Sequence, residues 1–374
     1  MYLIALKMLF GDKMKFITLV AAMTFSTVLM MQQGSIFVGL LRNFSTTVRV
    51  TQAPIWVMQK ATRLVDVPDP MPETYLGQVR SMDGVEWAVP FLLNRVKVRL
   101  PDGGHKYVQL QGVDGASLVG LPQNALSGTL TDINTPEAIV LDQNELDAMG
   151  NPKVGDVFEI NDNSSRLVAI VEMPKNTFSY PIIYSTYDRA KEISPPERKF
   201  LSFILVKPQE GYTDEQVIKS IQENTDLIAF TQKQFFWKTI KWYLDNTGIP
   251  VNFGIAVALG IIVGAAVASQ TFYTFTLENL RHLATLKAVG VKNRTITKMV
   301  LLQSGVVGFL GFGIGLLITV IFGSTIPKFT KLAFYTPYQL LFLSFFGVVG
   351  LCAFSSVFSL NKIRKLEPAI VFRG

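Results

Sequence analysis

The sequence predicts an α-helical membrane protein with four transmembrane helices and a large α+β extracytoplasmic domain inserted between helices 1 and 2. The 374 residues are 49% hydrophobic and only 17% charged, whereas soluble domains carry about a quarter charged residues. The deficit is concentrated in long uncharged stretches at both ends of the chain, while residues 42–248 have the composition of a soluble domain. Short strand patterns separated by turn residues in that segment predict its mixed fold.

Four apolar segments are long enough to span a membrane, because a helix needs roughly 20 apolar residues to cross about 30 Å of hydrocarbon. They are residues 16–41, 249–277, 299–327 and 332–361. A cleaved signal peptide is the alternative for the first, but its apolar run exceeds the usual length of about 7–15 residues and lacks an A-x-A exit. Residues 1–15 are expected to form an amphipathic helix at the cytoplasmic face, and residues 328–331 a short periplasmic loop.

The basic residues that flank the spans predict the orientation. The N-terminal segment, residues 278–298 and residues 362–374 together hold twelve basic and three acidic residues, whereas residues 42–248 hold 21 basic and 25 acidic ones. Cytoplasmic loops are enriched in Lys and Arg, so both termini and residues 278–298 are predicted to be cytoplasmic and the large domain periplasmic. The net charge of +7 therefore comes from residues that flank the membrane, so the lipid bilayer is an expected partner and no nucleic acid is.

Two elements of the large domain have clear local signals. Residues 102–104, Asp-Gly-Gly, can form the turn of a hairpin over residues 96–113, because these residue types tolerate positive φ angles. Thr213 with Gln216 three residues later predicts the capping box of a helix.

Two further interpretations concern polar and aromatic segments. Residues 141–150 are predicted to form a helix that ends at Gly150, with a solvated face; that face holds Asp142, Glu145 and Asp147. Residues 233–243 combine five aromatic side chains with lysines. They suit the lipid headgroup layer, where amphipathic rings anchor a helix, and packing within the domain is the alternative.

The sequence holds no motif for catalysis. It contains no Gly-Lys dipeptide, and hence no Walker A phosphate loop, and neither H-E-x-x-H nor G-x-S-x-G. One cysteine, Cys352, and two histidines, His105 and His282, offer little material for a metal site. The cores of the spans lack ionisable residues, which disfavours ion-coupled transport. We expect a non-catalytic membrane subunit with no cofactor or metal on this chain.

Small residues recur at a spacing of four in spans two and three. The pairs are Gly260 with Gly264 and Gly311 with Gly315. This spacing lets helix backbones approach closely in lipid, so we predict helix packing at these positions, including contacts that could support a dimer. A dinucleotide-binding loop is the alternative for residues 311–315, but that run lies inside an apolar span with no preceding strand.

Residues 278–298 carry the strongest local signal of the chain. Leu280, Leu283 and Leu286 recur toward one side of a helix that Gly290 would end, and a second helix begins near Asn293. A short amphipathic helix between two spans can lie on lipid or dock on a soluble partner. The residues alone leave both open.

A resemblance favours docking. Residues 278–290 read E-x-x-R-x-L-A-x-L-K-A-x-G, which resembles the signature of FtsX/MacB-like (type VII) ABC transporter permeases. The matching positions are Glu278, Arg281, Leu283, Leu286, Lys287 and Gly290, followed by Arg294. The tail resembles the family's terminal segment R-x-x-x-P-A-E-x-L-R at Arg364, Pro368 and Ala369, with Ile370 where Glu is common. The candidate site residues of the tail are Arg364, Lys365, Glu367 and Pro368. The chain looks most like the DevC-type exporter permeases, which lack a fused ATPase domain.

The resemblance implies a function and partners. Such a chain would be the permease subunit of a tripartite exporter in the bacterial inner membrane, forming a dimer above two ATPase subunits that hold ATP and Mg. The matching positions of residues 278–294 would couple to the ATPase, and the tail would support them. ATP-driven motion would pass to the periplasmic domains and drive efflux with a membrane-fusion adaptor and an outer-membrane channel. The alternatives are an FtsX-like subunit that activates a cell-wall hydrolase without transport and, for each basic residue, simple membrane anchoring.

Overall fold

The computed structural model of the chain describes residues 2–174, 180–195, 200–279, 282, 285–287, 289–330 and 332–364, with side chains as far as residue 360 apart from Lys328. The chain divides into two compact units. The membrane unit comprises Met1–Leu40 and Gly248–Gly374, and the outer domain comprises Leu41–Thr247.

Among the described residues, four helices are long and apolar enough to cross a membrane, which confirms the predicted membrane fold. We call these helices TM1 to TM4, and their bounds are Lys13–Asn43, Ile249–Glu278, Asn293–Phe329 and Tyr338–Arg364. A shorter apolar helix, Tyr2–Gly11, precedes TM1.

TM4 begins at Tyr338, later than the hydropathy pattern predicts. Residues 332–337 are apolar but not helical, because Pro337 disfavours helical backbone in the residue before it. The segment instead contacts TM1, where the backbone amide of Tyr335 donates to the carbonyl of Ser35 at 3.0 Å. Part of the apolar run therefore links TM3 to TM4 instead of extending the span.

TM2 packs against TM1 through two glycines. A Cβ atom added at Gly260 would lie 2.9 Å from the Cβ of Leu29 on TM1, and one at Gly264 would overlap the Ser26 hydroxyl. That hydroxyl donates to the carbonyl of Gly260 at 3.0 Å. Small residues permit this backbone approach in lipid, so the glycine pair of TM2 is occupied by TM1.

TM3 uses its glycine pair in the same way. A Cβ atom at Gly311 would overlap the side chain of Met23 on TM1, and one at Gly315 would lie 2.5 Å from the Cβ of Thr27. Both pairs therefore pack inside one chain. TM1 covers these faces within the chain, and a contribution of the pairs to contacts with a second copy stays a prediction.

Substitution of Gly311 tests this packing. We expect Gly311→Ala to destabilise the membrane unit by about 1–3 kcal/mol, because the added methyl group overpacks a filled site. The matched control is Gly313→Ala on the same helix, where nothing lies within 4 Å and alanine is intrinsically favoured by up to about 1 kcal/mol. Thermal unfolding in lipid nanodiscs measures both. Equal midpoints for the two variants would contradict the packing.

The described part of the outer domain contains a mixed sheet of ten strands. The order is β10-β1-β9-β2-β3-β8-β5-β7-β4, and β6 pairs with β2 and β7. The strands are β1 Ile55–Gln59, β2 Val85–Arg99, β3 His105–Val113, β4 Ala125–Gly128, β5 Ala138–Asp142, β6 Val157–Ile160, β7 Asn163–Val171, β8 Ile182–Thr186, β9 Phe203–Pro208 and β10 Leu227–Thr231. The helices are Thr46–Val50, Thr74–Arg80, Tyr187–Ile193, Asp214–Asn224 and Gln232–Asn246.

The sheet has a hydrophobic core on each face. Successive side chains of a strand point to opposite faces, and in β1 Ile55 and Val57 belong to one core while Trp56 and Met58 belong to the other. The Trp56 ring contacts three buried phenylalanines within 6 Å; they are Phe91, Phe203 and Phe235. Strands with two buried faces hold the mixed α+β domain together, as the sequence predicts.

The two clear local signals are confirmed. Strands β2 and β3 pair as an antiparallel hairpin, closed by a hydrogen bond of 2.8 Å from the amide of Leu100 to the carbonyl of Gly104. In the helix Asp214–Asn224, the Thr213 hydroxyl accepts from the amide of Gln216, and the Gln216 side chain accepts from the amide of Thr213.

The helix predicted over residues 141–150 is wrong. Strand β5 continues to Asp142, and two 3-10 turns, Gln143–Glu145 and Asp147–Met149, lead to Gly150. The Asp142 carboxylate caps the first turn by accepting from the backbone amide of Asn144 at 3.1 Å. This local bond competes with the helical hydrogen-bond pattern, so the chain turns at the point where the helix would begin.

The expected solvated face is also wrong for two of its three carboxylates. Asp142 and Glu145 are 1% and 2% exposed, whereas Asp147 is exposed. Burial raises the pKa of Asp142 to about 6, and the nearby charge of Glu145 adds to this effect.

The aromatic segment 233–243 divides between core and surface. Phe235 is completely buried in the core around Trp56, so the alternative of domain packing holds for this residue. Trp237 remains 56% exposed, because successive positions on a helix point in different directions.

The buried Asp142 predicts a pH dependence of stability. Its raised pKa means that the folded state binds this proton more tightly, so the free energy of unfolding falls as the pH rises from about 4 toward 6. The effect is at most about 3 kcal/mol. Asp142→Asn is expected to flatten the dependence, whereas Asp147→Asn is expected to follow the wild type.

Denaturant titrations of the full chain at pH 4 to 7 measure this prediction. All four tryptophans lie between residues 56 and 242, so their fluorescence reports on the outer domain. A wild-type slope that survives in Asp142→Asn would assign the pH dependence to other carboxyl groups.

Candidate functional site

The segment between TM2 and TM3 reverses direction at a glycine. Gly290 has φ +95°, and its amide donates to the carbonyl of Lys287 while the amide of Val291 donates to the carbonyl of Leu286, both at 3.0 Å. This pair of bonds is a Schellman motif, which requires a left-handed residue that glycine adopts without strain. The motif fixes a sharp turn, which we call the knuckle (residues 285–287 and 289–292).

The residue after the glycine anchors the knuckle. Val291 packs against Ile296 and Val300 of TM3 and against Leu360 of TM4. Lys292 is extended, with φ −66° and ψ 144°, and TM3 follows directly. The base of the knuckle therefore packs at the ends of two spans.

The outer surface of the knuckle combines an apolar tip with basic side chains. Val289 is 81% exposed, while Leu286 is half-buried. Three basic side chains around the tip are exposed, namely Lys287, Lys292 and Arg294. An apolar contact rimmed by positive charge suits a protein groove with acidic residues at its edge.

The other end of the segment is tied to TM1. Lys15 donates to the carboxylate of Asp12 at 2.6 Å and also pairs with Glu278 at the end of TM2. Its side chain is 21% exposed, and that of Glu278 is 57% exposed. The Lys15 ammonium lowers the pKa of Asp12 through their hydrogen bond. The lysine therefore links the start of TM1 to the residue that begins the segment.

The short helix Tyr2–Gly11 attaches to the same end of the membrane unit. Its Ala5 and Leu9 are buried, and the side-chain amide of Gln303 on TM3 donates to the carbonyl of Ala5 at 2.7 Å in a buried position. A buried polar bond of this kind fixes register, because breaking it leaves an unsatisfied group. The short helix is thus fastened to TM3.

The structure places part of the sequence-predicted site. Leu286, Lys287 and Gly290 lie in the knuckle, Arg294 lies in the first turn of TM3, and Glu278 is the last residue of TM2. The predicted residues that lie outside the described ones are Arg281, Leu283, Lys365, Glu367 and Pro368. For Arg364 the structure describes the backbone and not the side chain.

Two residues of this region were missed by the sequence reasoning. The first is Lys15, whose partner Glu278 lies 263 residues away along the chain, so only the fold reveals the pair. Val291 follows the terminating glycine, a position at which an apolar contact commonly accompanies the Schellman motif. That rule could have identified it.

The features of the knuckle suit a docking surface. Within the part of the chain that the structure describes, no group of three or more His, Cys, Asp or Glu side chains could hold a metal ion. What the arrangement offers is an exposed tip whose base packs against TM3 and TM4.

Two family profiles match the chain. The profile of the MacB-like periplasmic core domain matches residues 16–224, more than half of the sequence. That of the FtsX-like permease C-terminal domain matches residues 254–368, which include the knuckle.

Two curated relatives are similar over about three-fifths of this chain. An uncharacterised ABC transporter permease of Methanocaldococcus jannaschii is 27% identical over an alignment of 237 residues, which covers 59% of this chain and 58% of the relative. An uncharacterised ABC transporter permease of Mycobacterium tuberculosis is 24% identical over 223 residues, with the same shares. The aligned region thus spans less than two thirds of each relative.

Solved structures with low similarity include two extramembrane domains. The periplasmic region of MacB from Actinobacillus actinomycetemcomitans aligns with a TM-score of 0.40 at 14% identity, over 54% of this chain and 96% of that one. The extracellular domain of the transporter YknZ from Gram-positive bacteria gives a TM-score of 0.35 at 11% identity, over 48% and 98%.

A double-mutant cycle tests the link between TM1 and TM2. We expect Lys15→Met and Glu278→Gln each to lower stability, and the double variant to lose less than the sum, with a coupling of about 0.2–1 kcal/mol for a partly exposed pair. Thermal unfolding in nanodiscs measures the cycle. Lys13→Met, at an exposed neighbouring lysine, should show no coupling to Glu278→Gln. Strictly additive losses for Lys15 and Glu278 would refute the link.

Proposed function

The chain belongs to the FtsX/MacB-like ABC transporter permeases, and we propose that it is the permease subunit of a bacterial exporter powered by a separate ATPase chain. An ABC transporter permease implies an ATPase partner, and its four spans and MacB-like periplasmic core fit a multi-pass protein of the inner membrane. In our proposal both termini are cytoplasmic and the outer domain is periplasmic, in line with the positive-inside rule.

The observation that carries this proposal is the exposed knuckle with its anchored base. Val289 is 81% exposed at the tip, while Val291 is packed against TM3 and TM4. Val289 is available to a partner, and Val291 packs against two spans. In our proposal, a force on the tip therefore moves those spans. In our proposal, two ATPase subunits that bind ATP and Mg dock at this surface in a dimer of the permease.

The proposed cycle needs no path through the bilayer. Closure of the ATPases displaces the knuckle, and the displacement passes to TM3 and TM4 through Val291 and to TM1 through the Glu278–Lys15 pair. The outer domains then move and drive substrate toward a membrane-fusion adaptor and an outer-membrane channel. This route agrees with spans whose cores carry no ionisable side chains.

Charging the tip of the knuckle tests the docking. We expect Val289→Asp and Leu286→Asp to abolish co-purification of the ABC ATPase, because a carboxylate in an apolar contact is desolvated without a partner. Insertion into the membrane should be unchanged. Val154→Asp, at an exposed valine of the outer domain, is the control and should retain the ATPase.

The same purification distinguishes export from signalling. Recovery of a membrane-fusion adaptor with the wild-type complex supports export. Recovery of a peptidoglycan hydrolase instead would favour the FtsX-like signalling role, and ATPase retained by both knuckle variants would refute docking at this surface.

A further inference from the structure

Two segments of the outer domain connect directly to spans. The first connector, residues 44–51, follows TM1 and contains the helix Thr46–Val50; the second connector is the helix Gln232–Asn246, which precedes TM2. They are separated by most of the domain in sequence but lie against each other in the structure. Any motion of TM1 or TM2 reaches the outer domain through them.

A single side chain fastens the first connector to the second. The side-chain amide nitrogen of Gln232 donates to the carbonyl of Val48 at 2.8 Å and to the carbonyl of Thr51 at 2.9 Å. It also lies 3.4 Å from the carbonyl oxygen of Arg49. The last carbonyls of a helix have no partner within the helix. Gln232, the first residue of one helix, thus caps the end of the other, and its backbone amide donates to the carbonyl of Pro54 at 2.8 Å.

A second contact holds the connectors near their other end. The rings of Phe44 and Tyr243 are stacked, with centroids 3.7 Å apart and planes 10° from parallel. Gln232 and Tyr243 are separated by about 16 Å along the helix, from the rise of about 1.5 Å per residue. Two contacts at this separation prevent one connector from pivoting on the other.

The joined connectors are also fixed to the sheet. Phe235 of the second connector is completely buried beside Trp56 of β1, with ring centroids 5.5 Å apart. Thr47 of the first connector accepts from the side-chain amide of Gln111 on β3 at 3.3 Å. The connectors therefore share one core with the domain they carry.

We propose that Gln232 is a positioning residue that joins the two connectors into one rigid strut. Through this strut, the outer domain moves as a rigid body when TM1 and TM2 are displaced. This inference rests on the proposed function, since it concerns how ATP-driven motion is delivered. Glutamine suits the role because its amide has two donors for two carbonyls. Methionine has the same reach without a donor, and glutamate places a negative charge against carbonyl oxygens.

The experiment uses the full chain with its ATPase in nanodiscs. Cys352 is the chain's only cysteine and is buried, so labels can be placed in a Cys352→Ser background. One label at Lys153→Cys reports on the outer domain, and one at Leu259→Cys, on the exposed face of TM2, reports on the span. Distances between the two copies are measured with and without ATP and vanadate.

In the otherwise native protein, ATP and vanadate should change the distance at both positions. In Gln232→Met and Gln232→Glu, the change at residue 259 should remain while most of the change at residue 153 is lost. The matched control is Gln234→Ala, which removes the capping bond of the second connector but leaves the link to the first, and it should retain both changes.

Unaltered changes in the Gln232 variants would overturn the inference. Absence of any ATP-driven change in the otherwise native protein would instead overturn the proposed function, and the strut with it. A second test keeps Gln232 intact: a disulfide in Phe44→Cys/Tyr243→Cys should leave ATP turnover of the complex unchanged, since the connectors move together. Turnover that is lost on oxidation and restored by a reductant would show that they must separate, which also overturns the inference.

Discussion

The membrane unit depends on the close approach of TM1 to glycine faces of TM2 and TM3. Lipid tails are as apolar as leucine, so helices in a bilayer gain little from hydrophobic association and rely on close packing and hydrogen bonds. Gly264 and Gly311 leave no room for a Cβ atom against TM1, and Ser26 adds a bond to the backbone of TM2. A bundle packed this closely moves as a body and does not deform locally.

Because the bundle is rigid, the contacts at the ends of its helices determine how it connects to the rest of the chain. At one end, the Schellman turn at Gly290 presents Val289 outward and Val291 inward, and Lys15 joins TM1 to the end of TM2. In the outer domain, Gln232 and the Phe44–Tyr243 stack join the segments that connect to the same two spans. The Lys15–Glu278 pair, the bonds of Gln232 and the Phe44–Tyr243 stack each join residues that are far apart in sequence.

Export and signalling make the same demands on this chain. Under the proposed function, each role requires an exposed tip for the ATPase, a packed bundle, and a domain that follows the spans. The mixed sheet with a core on each face gives that domain the stiffness that either role needs. The difference lies in what the moving domain contacts, which is a property of its partners.

The sequence by itself determined the four spans, the hairpin closed by residues 102–104, the cap at Thr213 and the glycine at which the knuckle turns. These features follow from hydropathy and backbone preference, which act over a few neighbouring residues. Tertiary structure decided what those elements meet. It buried Asp142 and Phe235, placed TM1 over the glycine pairs, and brought Lys15 to Glu278 and Gln232 to Val48. These outcomes depend on contacts across long sequence separations, which local patterns do not encode.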